Sequence, residues 1–251
     1  MTSLRMIQTT LGILRSHLIY CWKPFNRRRM LRFYGQFIRP GDLCFDLGAH
    51  LGNRVDVWSS LGARVVAVEP QPACLRFLEK HFGKKSNVTI LPKAVGATVG
   101  NGSLNISSLT PTVSTLSGEN WRQSLNAKAT FKSRWQSQIE VEITTLDALI
   151  EAFGVPVFCK IDVEGFEEKV LQGLSQPLPH LSFEFFAWTP EATGKCIELL
   201  ENQGTYLFNW SIRETHRWQS AHWLSAAELR KTLQTFTHLA FSGDIYARLE
   251  T

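Results

Sequence analysis

Cysteine is scarce in this sequence and is not arranged for cross-linking or for zinc binding. The chain of 251 residues has five cysteines far apart from one another, and no C-x-x-C pair occurs. An odd number at such spacings predicts neither a disulfide framework nor a zinc site. Several stand in apolar runs, where a buried free thiol is the expected state. The pattern favours a reducing cytoplasm. The cysteines are Cys21, Cys44, Cys74, Cys159 and Cys196.

The sequence also lacks an uninterrupted hydrophobic run near its beginning. The stretch LGILRSHLIYCW is too short to cross a bilayer, and it contains Arg15 and His17. The same residues break the apolar stretch that a signal peptide needs, and no small-residue cleavage site follows. We therefore predict neither a membrane-spanning helix nor a secretion signal there.

Acidic residues are absent from the first 40 positions, which hold eight Lys or Arg. The remaining 211 residues have 19 basic and 22 acidic side chains, a net charge of −3. We therefore divide the chain into a basic segment, residues 1–40, and a main domain, residues 41–251. The domain is not charged like a nucleic-acid binder, so we expect no nucleic-acid partner.

The basic segment also shows a helical pattern. Five apolar residues recur at helical spacing and predict an amphipathic helix, and RRR follows at 27–29. Such a helix either lies peripherally on an anionic membrane surface, here the inner surface facing the cytoplasm, or packs on the domain or on a second subunit. Both interpretations stay open. The apolar residues are Leu4, Ile7, Leu11, Leu14 and Leu18.

Apolar strands alternate with helices through the main domain. LCFDL, ARVVAVEP and NVTILPKAV are predicted strands, and a helix from Pro72 to Phe82, stopped by Gly83, separates the last two. This alternation predicts parallel strands in βαβ units. GSLNISS and QIEVEITT interrupt it as an antiparallel pair. Further helices, capped at Thr144 and Ser225, lead to a last strand, DIYARL. We predict one α/β domain with a sheet of about seven strands.

The first of these strands enters a glycine-containing turn, FDLGAHLG, at 45–52. Gly48 and Gly52 lack a Cβ, which allows a positive φ and lets another molecule approach the backbone. Ligands of open α/β sheets bind beyond the carboxyl ends of the strands, where Asp46 stands, and Glu69 ends the next strand. An acid at the second position accepts hydrogen bonds from the ribose of an adenosine ligand. Asp46 would repel a pyrophosphate but suits a cation, so these residues fit S-adenosylmethionine (SAM) better than a dinucleotide.

Five stretches, in this order, resemble one protein family. They are FDLGAHLGN, VVAVEPQP, PKAVG, TTLDALI and KIDVEGFEEKVLQG, and from about Phe45 to Phe186 their spacing is similar to that of FkbM-type methyltransferases. The resemblance implies the SAM-dependent class I methyltransferase fold, which is Rossmann-like with its last strand antiparallel. It also implies methyl transfer to an acceptor oxygen, such as a sugar or polyketide hydroxyl. Position 50 has histidine where asparagine is more usual.

The candidate SAM-binding residues lie in the glycine turn and at the ends of the following strands. Ala94, after the third strand, is predicted near the adenine. Asp162 ends the strand FCKID and is predicted beside the methyl donor. The full set is Asp46, Gly48, Ala49, His50, Gly52, Glu69, Ala94 and Asp162.

Methyl transfer to a hydroxyl needs a base, and Asp162, Glu184 and His50 are the candidate catalytic residues. Aromatic neighbours of Glu184 would raise its pKa by desolvation, but a buried structural acid fits the same pattern. Histidine titrates near neutrality, although His50 also fits a hydrogen-bonding role in the turn. We assign Glu164 to the capped start of the following helix, where negative charge is favoured.

Two further expectations concern the surroundings of Asp162. Lys160 is expected to pair with a nearby acid. The sequence shows no Asp-Asp-Asn set, so we predict no metal.

Two other functions remain open. A nicotinamide-dependent reductase would share the sheet and the ribose acid, but the glycine pattern differs and no tyrosine has a lysine four residues later. A SAM- or nucleotide-binding module without catalysis fits the whole pattern. The absence of D/N-P-P-Y/F argues against a nucleic-acid methyltransferase. We expect the partner to be a small-molecule or glycan acceptor, which includes a glycolipid or a secondary metabolite.

Overall fold

The computed structural model describes residues 26–107, 114–128, 135, 137–236 and 239–250. The helices are α1 (Asn26–Tyr34), α2 (Asn53–Ser60), α3 (Pro72–Phe82), α4 (Glu119–Lys128), α5 (Leu146–Phe153), α6 (Glu167–Gln172), α7 (Pro190–Glu201) and α8 (Ala226–Gln234). The strands are β1 (Leu43–Leu47), β2 (Arg64–Val68), β3 (Val88–Leu91), β4 (Ala94–Val95), β5 (Gly100–Ile106), β6 (Ser137–Thr144), β7 (Phe158–Ile161), β8 (His180–Phe186), β9 (Tyr206–Ile212) and β10 (Ser242–Leu249).

Seven strands form the main sheet, in the order β3-β2-β1-β7-β8-β10-β9. Neighbouring strands from β3 to β8 are parallel, whereas β10 is antiparallel to both β8 and β9. This topology confirms the predicted class I methyltransferase fold with an antiparallel last strand. A smaller sheet, β4-β6-β5, contains the predicted antiparallel pair, β5 and β6.

Alternating side chains of the main sheet supply two apolar layers. Phe45 and Leu47 pack with helices α5 to α8 on one face, whereas Cys44, between them, packs with α1 to α3 on the other. A sheet covered on both faces needs strands that are apolar throughout, and every residue of β1 is buried. The four described cysteines are free and buried, as predicted.

Helix α1 comes from the basic segment and covers part of the second face. Its residues Met30, Phe33 and Tyr34 are buried in that layer, as is Ile38 just beyond the helix. The described end of the segment thus contributes to the core, while the division at residue 40 stays a prediction. The predicted amphipathic helix from Leu4 to Leu18 lies outside the described residues. None of the described helices has the length and apolar character that a membrane crossing requires.

Two predicted helix caps have different outcomes. Ser225 caps α8 as expected. Its side chain accepts a hydrogen bond from the Glu228 N–H, and the Glu228 carboxylate accepts one from the Ser225 N–H. The cap predicted at Thr144 is wrong by one residue. Thr145 caps α5 by accepting from the Ala148 N–H, because β6 continues through Thr144.

The two glycines of the β1–α2 turn are needed for a reason that the sequence did not reveal. Gly48 has a φ of 83°, and an added Cβ would lie 1.9 Å from the Asp162 carbonyl oxygen. Gly52 has a φ of 77°, and its added Cβ would lie 2.5 Å from the Phe82 ring. The protein's own chain, rather than a ligand, therefore occupies the space next to each glycine.

We expect the substitution Gly48→Ala to lower the free energy of unfolding by at least about 1–3 kcal/mol, the range for strained backbone conformations. Urea denaturation measures this change. Gly194→Ala is the control, because Gly194 lies within α7 and an added Cβ there meets nothing within 4 Å. Alanine favours helix, so this control should be as stable as the parent or more so. Equal destabilisation by both substitutions would contradict the packing argument.

Candidate functional site

An acidic cavity opens at the carboxyl ends of β1, β2 and β7. It holds about 980 Å³ of empty space, its open mouth included. Five acids line it, together with the glycine turn and apolar side chains from the smaller sheet. The acids that define it are Glu69, Asp162, Glu164, Glu184 and Glu214.

Glu69 fastens the glycine turn to the end of β2. One carboxylate oxygen accepts from the His50 N–H at 2.8 Å, and the other accepts from the Gln71 N–H at 2.8 Å. An ionised carboxylate has about four acceptor positions, so each oxygen can still accept from a ligand hydroxyl. Burial raises the pKa of Glu69 to about 7. The residue therefore fits the predicted ribose acid.

His50 lines the cavity in a left-handed conformation, with a φ of 49°. Burial lowers the pKa of its imidazole to about 4. The ring is therefore neutral near pH 7 and only weakly basic. The His50 backbone N–H donates to Glu69, which agrees with the alternative prediction that His50 has a hydrogen-bonding role in the turn.

A buried ion pair stands beneath the cavity. Lys160 on β7 is completely buried, and its Nζ lies 2.6 Å from Oδ1 of Asp244 on β10 and 3.3 Å from Oδ2 of Asp162. Burial opposes the charge of Lys160, but the two carboxylates outweigh it and raise the pKa of the ammonium group. The predicted pairing of Lys160 with a nearby acid is confirmed.

Arg54 on α2 extends the ion pair into a network. Its guanidinium lies 3.2 Å from Glu214, 3.7 Å from Asp162 and 3.8 Å from Asp244. Lys160 and Arg54 thus face three carboxylates, so the network as a whole has a formal charge of −1. Coulombic attraction at such distances is strong where water is excluded. Asp162 is consequently held in place by two cations from different elements.

Asp162, Glu164 and Glu184 bring carboxylate oxygens within 4.8 Å of one another. Burial opposes the ionisation of Asp162, but Lys160 and Arg54 outweigh it and keep its pKa below the usual range. Burial and the neighbouring carboxylates raise the pKa values of Glu164 and Glu184 well above the ordinary value. The cluster therefore contains one stably ionised acid and two acids that hold protons more tightly.

The cavity wall contains most of the predicted site residues, but two of them lie elsewhere. Asp46 and Gly52 do not line it. Asp46 is buried on β1 beside Lys160 of β7, and burial raises its pKa to about 6. The carboxylate that faces the cavity at this edge is that of Asp162. The predicted residues in the wall are Gly48, Ala49, His50, Glu69, Ala94, Asp162 and Glu184.

The assignment of Glu164 to a helix cap is wrong. Glu167 starts α6, and its carboxylate accepts from the N–H groups of Val163 and Gly165 at 3.1 and 3.2 Å. Glu164 instead has a φ of 58° and lines the cavity. Glu164 thus lies in the turn after β7 with its side chain at the cavity, and Glu167 ties that turn to the start of α6.

The pattern of the methyltransferase FkbM domain matches residues 46–207, more than half of the chain. The chain belongs to this family. The match confirms the resemblance seen in the motifs, and with it the general activity of a SAM-dependent methyltransferase. No curated protein compared with this methyltransferase is similar enough to count as a relative.

Solved structures with a similar architecture include several methyltransferases. The precorrin-6y C5,15-methyltransferase of Geobacter metallireducens is 14% identical, with a TM-score of 0.46 over 89% of this chain and 87% of its own. A TehB-like SAM-dependent methyltransferase of Corynebacterium glutamicum is 12% identical, with a TM-score of 0.45 over 88% of each chain. The fibrillarin of Aeropyrum pernix, which has natively bound SAM, is 12% identical, with a TM-score of 0.41 over 84% and 68%. Likeness at this level identifies no substrate for the present methyltransferase.

Sequence reasoning missed three members of the charge network. Arg54, Glu214 and Asp244 come from α2, the segment after β9 and β10, and no spacing along the sequence relates them. Asp244 offered one signal, because it is an acid within a strand that is otherwise largely apolar. Buried charges are generally paired, so such a residue predicts a basic partner without identifying it.

The carboxylate cluster also bears on metal binding. Asp162, Glu164 and Glu184 lie close enough together to hold a metal ion, and sequence reasoning did not find this group because it had placed Glu164 elsewhere. The prediction that no metal takes part stays a prediction.

We expect Lys160→Met to lower the free energy of unfolding by about 3–5 kcal/mol, because it leaves Asp244 buried without its nearest cation. Adding Asp244→Leu should restore a large part of this loss, since the uncompensated charge is then removed as well. Urea denaturation of the two single variants and the double variant forms a double-mutant cycle. Purely additive losses would show that the two side chains are not coupled.

Proposed function

We propose that this methyltransferase transfers a methyl group to a hydroxyl oxygen of a sugar, a glycolipid or a secondary metabolite. The proposal rests on the position of Glu184. This residue lines the acidic cavity and forms no ion pair with any described Lys or Arg. Because its pKa is raised, its ionised form is a stronger base than an ordinary carboxylate. A hydroxyl acceptor needs such a base.

The cavity residues fit SAM, which supplies an electrophilic methyl group on a sulfonium cation when bound. Glu69 has acceptor positions left for ribose hydroxyls, and Ala94 and Val95 offer an apolar wall. The carboxylates of Asp162 and Glu214 make the cavity attractive to a cation. A nicotinamide dinucleotide fits less well, because its pyrophosphate would face these carboxylates, and the family match argues against a reductase.

Glu184 is favoured as the base over the other two candidates. Asp162 is stabilised as a carboxylate by Lys160 and Arg54, which makes it a weak proton acceptor. His50 has a pKa of about 4 and is weaker still at neutral pH. Glu184 lies on β8 in the middle of the main sheet, and a site on a strand is held more rigidly than one on a loop.

The proton transfer follows from these assignments. The Glu184 carboxylate would accept the proton of the acceptor hydroxyl as that oxygen took the methyl group, and the carbon–sulfur bond of the sulfonium would break to leave a neutral thioether. Asp162, held by its two cations, stays ionised beside it and favours positive charge in the cavity.

We expect SAM affinity to fall as the pH is lowered through about 7, the pKa of Glu69, because the protonated carboxyl loses acceptor positions. Glu69→Gln should weaken binding roughly tenfold to a hundredfold at high pH, the equivalent of a hydrogen bond to a charged group. Calorimetry from about pH 6 to about pH 8 should show the ratio of parent to variant affinity rising with pH. A constant ratio would remove the ionised Glu69 carboxylate from the binding site.

We expect Glu184→Gln to lower methyl transfer at least roughly a hundredfold, the usual contribution of a positioned base, while SAM binding is retained. Methyl-labelled SAM is incubated with lipid, glycan and small-molecule fractions, and the fraction that gains label identifies the acceptor. Glu164→Gln is the matched control, since Glu164 has a similarly raised pKa but lies in the loop after β7.

Three results would count against parts of this proposal. Equal losses in Glu184→Gln and Glu164→Gln would remove the special role of Glu184. Label on an amine rather than a hydroxyl would overturn O-methylation. SAM binding without label in any fraction would favour the binding module without catalysis.

A further inference from the structure

A second concave surface, the arginine groove, lies between α1 and the segment after β9. It holds about 1350 Å³ of space, open solvent included. Arg28, Arg29 and Arg32 of α1 stand on one side, and Arg217 stands on the other. Phe33 and Trp218 form an aromatic floor, with ring centroids 4.6 Å apart.

The four arginines form no ion pair with the acidic side chains of the described residues. All 22 Asp and Glu residues of the chain fall among the described residues, and none forms an ion pair with Arg28, Arg29, Arg32 or Arg217. The Nε atom of Arg29 is buried without a hydrogen-bond partner in the described structure. The first 25 residues, which lie outside the described part of the chain, contain Arg5, Arg15 and Lys23 but no acid, so they cannot neutralise the groove with a side chain.

The groove is not an arm of the acidic cavity. Glu214 lines the cavity and His216 lines the groove, and the two side chains meet at 3.6 Å in the wall between them. Burial lowers the pKa of His216, so the positive charge of the groove comes from the arginines. The two concave surfaces therefore carry lining charges of opposite sign.

Arginine geometry suggests the class of ligand. A planar guanidinium donates two parallel hydrogen bonds to a phosphate, and several guanidinium groups around one depression can share its oxygens. The spacing of Arg28, Arg32 and Gln36 at intervals of four residues places all three on one face of the chain around α1. The opposite face, with Met30 and Tyr34, is fixed in the core, which makes the arginine face a rigid platform.

We propose that the arginine groove is a binding site for a phosphate or diphosphate group, borne either by a soluble small molecule or by a lipid headgroup. This inference does not rest on the methyl-transfer proposal, because it uses none of the cavity residues. The aromatic floor beneath the arginines offers a surface for an apolar or flat part next to the phosphate. Since most of the guanidinium groups are exposed, binding should weaken as salt is added.

The test uses the full chain and pyrophosphate as the probe, in calorimetry at low ionic strength. We expect Arg32→Gln and Arg217→Gln, on opposite sides of the groove, each to weaken binding roughly tenfold or more. Arg27→Gln is the matched control, because it removes the same charge from the same helix. Arg27 pairs with Asp56 at 2.7 Å and does not line the groove, so this variant should bind within about twofold of the parent. SAM affinity is measured in parallel and should be unchanged in all three variants. Unchanged SAM affinity would show that the variants are folded.

A second arm separates the two sources of phosphate. The same proteins are co-sedimented with phosphatidylcholine vesicles that contain or lack phosphatidylglycerol. Loss of pyrophosphate binding in the two groove variants supports a soluble phosphate ligand. Selective loss of binding to phosphatidylglycerol vesicles, without pyrophosphate binding, supports a lipid headgroup. Binding of neither probe by the parent, or equal losses in Arg27→Gln and the groove variants, would overturn the proposal.

Discussion

The ion pair between Lys160 and Asp244 is the interaction on which the cavity depends. It crosses β8 to join β7 to β10, so it ties the parallel part of the sheet to its antiparallel end. Moving a charged group from water into the protein interior costs several kcal/mol. This cost is offset only if the charged partners are well placed. The same Lys160 ammonium holds Asp162, so the geometry that stabilises the sheet also sets the direction of a carboxylate in the cavity.

Charge is distributed unevenly over the protein, and the two concave surfaces show this. The network of Lys160, Arg54 and three carboxylates retains a negative charge, and Glu164 and Glu184 stand beside it. Their raised pKa values mean that the cavity limits its own charge by holding protons. A cation that entered would displace them, so electrostatics and protonation are coupled in the cavity. The arginine groove has no comparable compensation, since an arginine does not lose its proton near neutral pH.

The elements could be predicted from the sequence because their signals are local. Apolar runs, the glycine stop after α3 and the capping residues of α8 each act within a few positions. Glu69 and Asp162 were also found, because the end of a parallel strand is a defined place in the fold. The residues of the charge network that come from distant parts of the chain, and the place of Glu164 in the cavity wall, could not be predicted. Arg54 meets its partners only after folding. Glu164 faces the cavity with a backbone φ of 58°, and the neighbouring residues in the sequence give no signal for that conformation.

The strand that completes the sheet is also the last to be made. Asp244 is synthesised 84 residues after Lys160, which at about 5–20 residues per second takes roughly 4–17 s. Throughout that interval a nascent chain has β1, β2, β3 and β7 but lacks Asp244, the carboxylate nearest to the buried ammonium. The central sheet can collapse early on its apolar residues, yet the charge network closes only when the C-terminal strand inserts between β8 and β9. A chain truncated before β10 would therefore keep the glycine turn and Glu69 but would leave β8 and β9 without the strand between them and Lys160 without its nearest carboxylate.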